Sequence, residues 1–259
     1  MMRKKPMLAY PVSDKPIDYT KPVFMQPKLD GVRCVIQADV KRHILHPSLN
    51  DVSVMAYSRT GKEWKNINHI LEALKPFFQA NPNVILDGEL YNHALRDDFE
   101  KIISCVRKQK PTVMDRAESR KLVQFHCYDI VDETMTFDER YRFVFDNLRD
   151  AYGVRTVSYY KGIFSQDQAK AVHKMNLEAG YEGSILRLND VYQCKRSHSL
   201  RKFKDFHDAE AVLTDWVEGK GKRKGTIGKF MAIDADGNTF GMPVMDNFKK
   251  LQTMFKEMQ

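Results

Sequence analysis

The sequence predicts an α+β protein of two domains, residues 1–206 and residues 207–259. Three observations carry this prediction. Short apolar runs with strand character alternate with stretches whose apolar residues recur at helical spacing. The 259 residues are enough to bury one large core or two smaller ones. Near Phe206 the composition changes, and the remaining chain is mostly strand-like.

The first domain is expected to combine short strands with amphipathic helices. Residues 6–22 are rich in proline and predict an extended entry segment. Ser165 followed by Gln168 is typical of a capping box that opens a helix. The predicted strands are 23–26, 32–38, 52–57, 83–86, 122–131 and 184–188, and the predicted helices are 67–78, 98–106, 137–148 and 165–179.

The second domain is expected to be a small β-structure that ends in a helix. Strands are predicted at 209–217, 227–235 and 239–244, with a hairpin turn at Asp236–Asn238. A basic loop, Lys220–Lys224, separates the first two strands, and residues 246–259 have helical spacing. The loop does not fit the P-loop pattern, so it is either a solvated loop or a contact to a phosphate backbone.

Composition limits the classes of partner and compartment. The formal net charge of +8 indicates a polyanionic partner, either nucleic acid or an anionic membrane surface. No apolar run is long enough to span a bilayer, and the basic N-terminus lacks the apolar core of a secretory signal. Four scattered cysteines without a C-x-x-C pair argue against a zinc site and for a reducing compartment.

The segment Lys28–Arg33 is the strongest chemical signal in the chain, with the sequence K-L-D-G-V-R. It places an amine, a carboxylate, a turn-forming glycine and a guanidinium within six residues. Lysine reacts as the free amine, and a neighbouring cation or a bound metal disfavours its ammonium form. Lys28 could therefore attack a carbonyl carbon or a phosphorus, and this segment alone does not distinguish the two.

Further charged elements recur at predicted strand ends. Ser58–Gly61 could hold a phosphate, and Asp87–Glu89 offers carboxylates to a ribose hydroxyl or a metal. Glu182 precedes a glycine at another strand, and Lys202 and Lys204 share one face of a strand. A reactive lysine, several acids and paired lysines together are what nucleotidyl transfer requires.

The order and spacing of these elements resemble the covalent nucleotidyltransferase superfamily, and especially the compact viral and phage ATP-dependent DNA ligases. Lys28–Arg33 is similar to motif I, Ser58–Gly61 with Asn66 to motif Ia, Asp87–Glu89 to motif III, Tyr128-Asp129 to motif IIIa, Glu182–Arg187 to motif IV, and Lys202–Lys204 to motif V. The resemblance covers residues 22–206. It implies a nucleotidyltransferase (adenylation) domain with antiparallel sheets and flanking helices, followed by a small OB-fold β-barrel.

The resemblance implies a role for each matching residue. Lys28 is the catalytic nucleophile, which attacks the α-phosphate of ATP and keeps AMP as a covalent intermediate. Glu89 binds the ribose, Tyr128 stacks on adenine, and Gln26 reads the adenine edge. Mg²⁺ is held by Glu89 and Glu182. The nucleotide-binding set is Gln26, Lys28, Arg33, Glu89, Tyr128, Glu182, Lys202 and Lys204, and the DNA-binding set is Arg33, Arg59 and Arg196.

The implied activity is the sealing of nicks in duplex DNA. The protein is expected to act as a monomer without a membrane partner. Its expected location is the cytoplasm, or the host cytoplasm if the source is viral. Two alternatives stay open: an RNA ligase or capping-type guanylyltransferase, and a non-catalytic OB-containing nucleic-acid-binding protein. The residues leave Arg187 open between a surface and a functional position, and Asp129 between a structural and a metal-linked one.

One departure from the family pattern concerns its basic motif VI, for which no convincing version follows Gly241. A complete OB barrel is expected to continue beyond Gln259. Either the sequence is truncated, or the pyrophosphate leaving group is handled otherwise, for instance by Lys220–Lys224.

Overall fold

The computed structural model describes residues 1–41, 51–148, 151–204, 210–244 and 246–258. The chain divides into two compact units, Met1–Lys204 (unit 1) and Asp205–Gln259 (unit 2). The boundary predicted between residues 206 and 207 falls in a stretch outside the described residues.

Unit 1 contains two five-stranded sheets among its described residues. The strands are β1 Leu8–Pro11, β2 Val23–Lys28, β3 Val32–Lys41, β4 Asp51–Tyr57, β5 Ile85–Tyr91, β6 Gln124–Ile130, β7 Val154–Thr156, β8 Tyr160–Lys161, β9 Gly183–Leu188 and β10 Arg196–Phe203. The first sheet has the order β1-β10-β9-β2-β8, and the second has the order β4-β3-β5-β6-β7. Most neighbouring strands pair antiparallel, whereas β1 with β10 and β6 with β7 pair parallel.

Five helices flank these sheets in the described part of unit 1, and none of the described helices is long and apolar enough to cross a membrane. They are α1 Asn68–Ala80, α2 Phe99–Val106, α3 Val113–Leu122, α4 Phe137–Asn147 and α5 Gln166–Glu178. The largest apolar core lies between the second sheet and the helices that cover it, and contains Ile36, Phe78 and Phe125. A separate core packs α5 against the first sheet.

The two sheets of unit 1 meet through a smaller apolar cluster. Met7, Tyr192 and Leu200 on the side of the first sheet contact Val35 and Ile85 of the second. In β3, alternate residues point to opposite faces, so that Cys34 and Ile36 join the helix-covered core while Val35 joins the contact between sheets. Polar residues at the ends of these strands are therefore brought together where the sheets meet.

Unit 2 is a three-stranded antiparallel sheet with one helix in its described residues. Its elements are β11 Ala211–Glu218, β12 Ile227–Asp234, β13 Thr239–Pro243 and α6 Phe248–Glu257, and the strand order is β11-β12-β13. Leu251 and Phe255 of α6 are buried, and the Phe255 ring lies edge-on to Trp216 with 5.1 Å between centroids. This arrangement fits a small OB-like domain, although a closed barrel is not formed by the described residues.

The predicted α+β class is confirmed, and most elements lie within a few residues of their predicted bounds. Several described elements of unit 1 were not predicted, among them β1, α3, β7 and β8. The entry segment 6–22 contains a strand, β1, which extends the first sheet. Helix α3 was not predicted, because its exposed Val113 and Met114 leave no apolar stripe to recognise.

Candidate active site

Strand register in the first sheet brings the predicted nucleophile to its neighbours. Lys28, the last residue of β2, pairs with Gly183 at the start of β9, and the Glu182 amide donates to the Lys28 carbonyl oxygen at 3.2 Å. On the other side of β9, Ile185 pairs with Lys202 of β10. Residues far apart in sequence thus lie at one end of three adjacent strands.

Glu182 bridges two lysines at this end of the sheet. One carboxylate oxygen forms an ion pair with Lys28 Nζ, and the other accepts from Lys204 Nζ at 2.7 Å. Burial alone would raise the pKa of Glu182, but the hydrogen bonds from Lys204 and Lys28 outweigh it and hold the pKa below its ordinary value. The carboxylate is therefore anionic at neutral pH and sits beside the predicted nucleophile.

Gly183 and Gly31 permit this close approach of strands. Gly183 has a φ of +152°, and a Cβ there would lie 2.3 Å from the Phe203 carbonyl oxygen. A Cβ on Gly31, in the turn after Lys28, would lie 2.5 Å from the Leu90 carbonyl oxygen and 2.6 Å from Glu89 Cγ. Any side chain at Gly31 would push the Lys28 turn away from Glu89.

The second sheet contributes Glu89 and Tyr128. The register between β5 and β6 shifts after Asp87, because Asp87 pairs with Asp129 while Gly88 pairs with Cys127. Tyr128 is the unpaired residue of this bulge, and bulges commonly redirect a side chain. Its hydroxyl donates to Glu89 Oε2 at 3.2 Å. Burial raises the pKa of Glu89 to about 7, against the opposing effect of Arg33 and Lys28.

Arg33 is held by a neighbouring carboxylate. Its Nε and Nη2 donate to the two Asp87 oxygens at 2.6 Å each, and Nη2 also donates to the Met7 carbonyl oxygen at 3.1 Å. The guanidinium carbon lies 5.3 Å from the centroid of the Tyr128 ring. Arg33 therefore has a fixed position beside Tyr128, and its predicted contacts to nucleotide and DNA stay predictions.

Arg187 is a buried arginine that bears on two questions the sequence left open. Its Nε donates to Gln26 Oε1 at 2.7 Å and its Nη1 donates to Asp129 Oδ2 at 2.6 Å. Asp129 also accepts a bidentate contact from Arg140, so both of its oxygens are used within the protein. These contacts favour the structural alternative for Asp129, and Arg187 is a buried residue of the site and not a surface one.

Gln26 is also largely committed to protein partners. It is 1% exposed, and besides the bond from Arg187 its Nε2 lies 3.3 Å from the Tyr128 carbonyl oxygen. With Oε1 accepting from Arg187, the amide orientation is fixed. The predicted reading of an adenine edge by Gln26 stays a prediction.

A cavity of about 300 Å³ opens at the meeting of the two sheets. It is lined by eight of the ten predicted site residues, and the other two, Glu182 and Lys204, are connected to it through Lys28. Sequence reasoning missed Leu8 and Ala9 of β1, for which no motif gave a signal, and Ile185 of the predicted fourth motif. It left Arg187 of that motif open. The eight lining residues are Gln26, Lys28, Arg33, Arg59, Glu89, Tyr128, Arg196 and Lys202.

The predicted DNA-contacting arginines lie at the border of this cavity. Arg59 is exposed in a turn that follows β4, where Gly61 has a φ of +86°. Arg196 donates to the Ala9 carbonyl oxygen and lies 5.5 Å from the Tyr10 ring centroid, so β1 fixes its position. Asn66 is buried and donates to the backbone of α2 and α3, which makes it a structural residue.

The donor set for a divalent cation is small. No group of three or more His, Cys, Asp or Glu side chains arranged to hold a metal occurs among the described residues. Glu182 and Glu89 supply carboxylates near Lys28. Magnesium is commonly bound by one or two carboxylates together with substrate phosphates and water, so these two residues fit it when a nucleotide is present.

Comparison with known proteins agrees with this arrangement. The family model described as ATP dependent DNA ligase domain matches residues 6–204, and the chain belongs to this family. The DNA ligase of African swine fever virus is 30% identical over 81% of this chain and 48% of the viral protein. The chain therefore spans about half the length of the curated relatives it matches.

Solved structures show the same fold at lower identity. A structure from a study of Lig E DNA ligases has a TM-score of 0.72 and 23% identity, covering 97% of this chain and 88% of that chain. The Chlorella virus DNA ligase-adenylate has a TM-score of 0.54 and 19% identity, covering 98% of this chain and 86% of that chain.

Proposed function

We propose that this chain is an ATP-dependent DNA ligase that seals nicks in duplex DNA through a covalent lysyl-AMP intermediate. The family membership supports the class of reaction. The observation that carries the assignment is the bridge of Lys28, Glu182 and Lys204 beside a cavity lined by Glu89 and Tyr128. The proximity of an amine, a second lysine on the same carboxylate and an aromatic face supports the proposed roles of these residues.

In the first step, the Lys28 amine attacks the α-phosphorus of ATP. A bond forms between Nζ and phosphorus, the bond from that phosphorus to the bridging oxygen breaks, and pyrophosphate leaves. The Lys28 ammonium loses one proton to become nucleophilic and a second one after the N–P bond has formed. Glu182, which is paired with Lys28 Nζ, can relay both protons to solvent. Lys202 and Lys204 then face the negative charge that develops on the phosphates.

Base and ribose are bound by the second sheet in this proposal. The Tyr128 ring supplies a π-face for adenine, and Ile185 adds an apolar contact from the first sheet. Glu89 accepts a hydrogen bond from a ribose hydroxyl in its anionic form. Magnesium, held by Glu182 and Glu89, would neutralise phosphate charge when bound.

In the later steps, AMP passes from Lys28 to the 5′-phosphate of a nick, and the 3′-hydroxyl attacks that phosphate to expel AMP. Arg59 and Arg196 lie at the border of the cavity, where they can contact phosphates of the DNA. The proposal also includes that the protein acts as a monomer. If the source is viral, it acts in the host cytoplasm.

The first test is the mass of the protein after incubation with ATP and magnesium. We expect a mass increase of one AMP, absent in Lys28→Ala and retained in Lys75→Ala, whose lysine pairs with Glu72 on the exposed side of α1. Comparing adduct formation with ATP and with GTP distinguishes a ligase from a guanylyltransferase. Comparing the sealing of nicked DNA with that of nicked RNA distinguishes a DNA ligase from an RNA ligase. Nick binding without any adduct would contradict the proposal and favour a non-catalytic binding protein.

A further inference from the structure

Tyr192, in the connection between β9 and β10, joins parts of unit 1 that the sequence keeps far apart. The side chain is 1% exposed. Its hydroxyl accepts from the Met7 amide at 2.7 Å and donates to Asp87 Oδ2 at 2.7 Å. A backbone N–H can only donate a hydrogen bond and an ionised carboxylate can only accept one, so the direction of both bonds is fixed.

These bonds complete a closed ring. Asp87 accepts from Arg33, and Arg33 Nη2 donates back to the carbonyl oxygen of Met7. Both backbone polar groups of Met7 are thereby used, one by Tyr192 and one by Arg33. The ring ties the N-terminal segment to Arg33, which lines the cavity.

A second network reaches the cavity from the ring face of Tyr192. The Arg140 guanidinium carbon lies 5.5 Å from the centroid of the Tyr192 ring. Arg140 binds Asp129, and Asp129 binds Arg187, which also lines the cavity. The side chains of Arg140, Asp129 and Arg187 are each 5% exposed or less, so water competes little with these contacts.

The two networks end at the same aromatic ring. The guanidinium carbons of Arg33 and Arg187 lie 5.3 Å and 5.5 Å from the centroid of Tyr128. We propose that Tyr192 is a positioning residue, which fixes both arginines beside Tyr128 and thereby shapes the base-binding wall of the cavity. This inference rests on the proposed function in one respect, namely that ATP is the ligand that binds in the cavity.

The test compares ATP binding by calorimetry in the Lys28→Ala background, where no covalent step occurs. Tyr192→Phe keeps the ring against Arg140 but removes both hydroxyl bonds, and we expect about tenfold weaker ATP binding. Tyr57→Phe is the matched control, because Tyr57 is 3% exposed and its hydroxyl contacts the sulfur of Met55 on the same strand. ATP binding by the control should be unchanged.

A double-mutant cycle separates positioning from general destabilisation. With Arg33→Lys already present, Tyr192→Phe should weaken ATP binding by less than twofold, because the ring is already broken. A lower melting temperature of Tyr192→Phe with unchanged ATP affinity would overturn the proposal. So would binding losses of the two single variants that simply add in the double variant. Asp87→Asn leaves the Tyr192 side chain in place but weakens the bonds that Asp87 accepts from Tyr192 and Arg33, so it must weaken ATP binding too, which keeps the proposal testable if Tyr192→Phe does not fold.

Failure of the proposed function gives a different result. Wild-type protein that binds ATP but forms no adduct would contradict the ligase assignment and leave the Tyr192 comparison intact. Adduct formation by the wild type, with wild-type ATP affinity in Tyr192→Phe, would overturn only the positioning role.

Discussion

At the scale of single residues, three cationic side chains of the candidate site are each paired with a carboxylate. Lys28 is paired with Glu182, Arg33 with Asp87, and Arg187 with Asp129. Asp87, Asp129 and Arg187 have side chains that are at most 5% exposed, whereas the side chains of Lys28, Glu182 and Arg33 are about one fifth exposed. Lys28 and Glu182 form the pair in which both partners are partly exposed, so an incoming phosphate can separate them most easily. The buried carboxylates of Asp87 and Asp129 keep the arginines of the cavity wall in place.

Glu89 is the residue where function and stability should conflict. Burial raises its pKa to about 7 from an ordinary value of 4.5. Between these two pH values the folded protein holds a proton that the unfolded chain has released, so the free energy of unfolding falls as pH rises through this window. The anionic form, to which the proposed function assigns ribose binding, is thus the form that costs stability.

We therefore predict that Glu89→Gln raises the free energy of unfolding at pH 8 by about 1–2 kcal/mol. This is less than the ~3 kcal/mol that corresponds to the whole shift in the pKa of Glu89, because the side chain is partly exposed and solvent screens its charge. The variant should also lose the pH dependence of stability between about pH 4.5 and pH 7 and form little AMP adduct. Urea unfolding at several pH values and adduct mass measure the two effects. Glu72→Gln, on an exposed side of α1, should keep the parent pH dependence.

At the scale of elements, most strands and helices could be predicted from apolar periodicity, and the motif order predicted which strand ends meet. The partners of buried charges could not be predicted. Arg187 and Asp129 are separated by 58 residues, and no local pattern indicates that they pair. Strand β1 was missed because its prolines suggest an extended chain, yet it is an edge strand, where proline is tolerated.

The turn between β2 and β3 offers a test at this scale. Gly31→Ala places a methyl group against the Leu90 carbonyl and Glu89, so we expect a loss of about 1–3 kcal/mol of stability. Adduct formation should fall by more than stability alone explains, because the turn carries Lys28. Thermal unfolding and single-turnover adenylation measure both.

Gly241→Ala is the control for this substitution. A Cβ there meets only the flexible end of the Lys229 side chain, and the residue lies in unit 2. Equal losses of adenylation in the two variants would contradict a specific role for the Gly31 turn.

At the scale of the whole molecule, all ten predicted site residues belong to unit 1, which the family match nearly spans. The net charge of +8 belongs to the complete sequence. It predicts affinity for a polyanion but does not indicate which part of the surface binds it. Unit 2 contributes an exposed cluster of cations at Lys220, Lys222, Arg223 and Lys224. The sequence left open whether this loop contacts phosphates.

If the loop contacts phosphates, replacing Lys220, Lys222 and Lys224 by Gln should weaken binding to nicked DNA and flatten its salt dependence. Each lost phosphate contact should change the slope of log K against log salt by about 0.9. Formation of the AMP adduct should stay unchanged if the loop contacts only DNA, and it should fall if the loop also binds the leaving pyrophosphate. The matched control replaces Lys75, Lys101 and Lys174 by Gln, which removes the same charge from lysines already paired with carboxylates. Fluorescence anisotropy at a series of salt concentrations measures the slopes, and equal slopes in both triple variants would mean that the loop is only solvated.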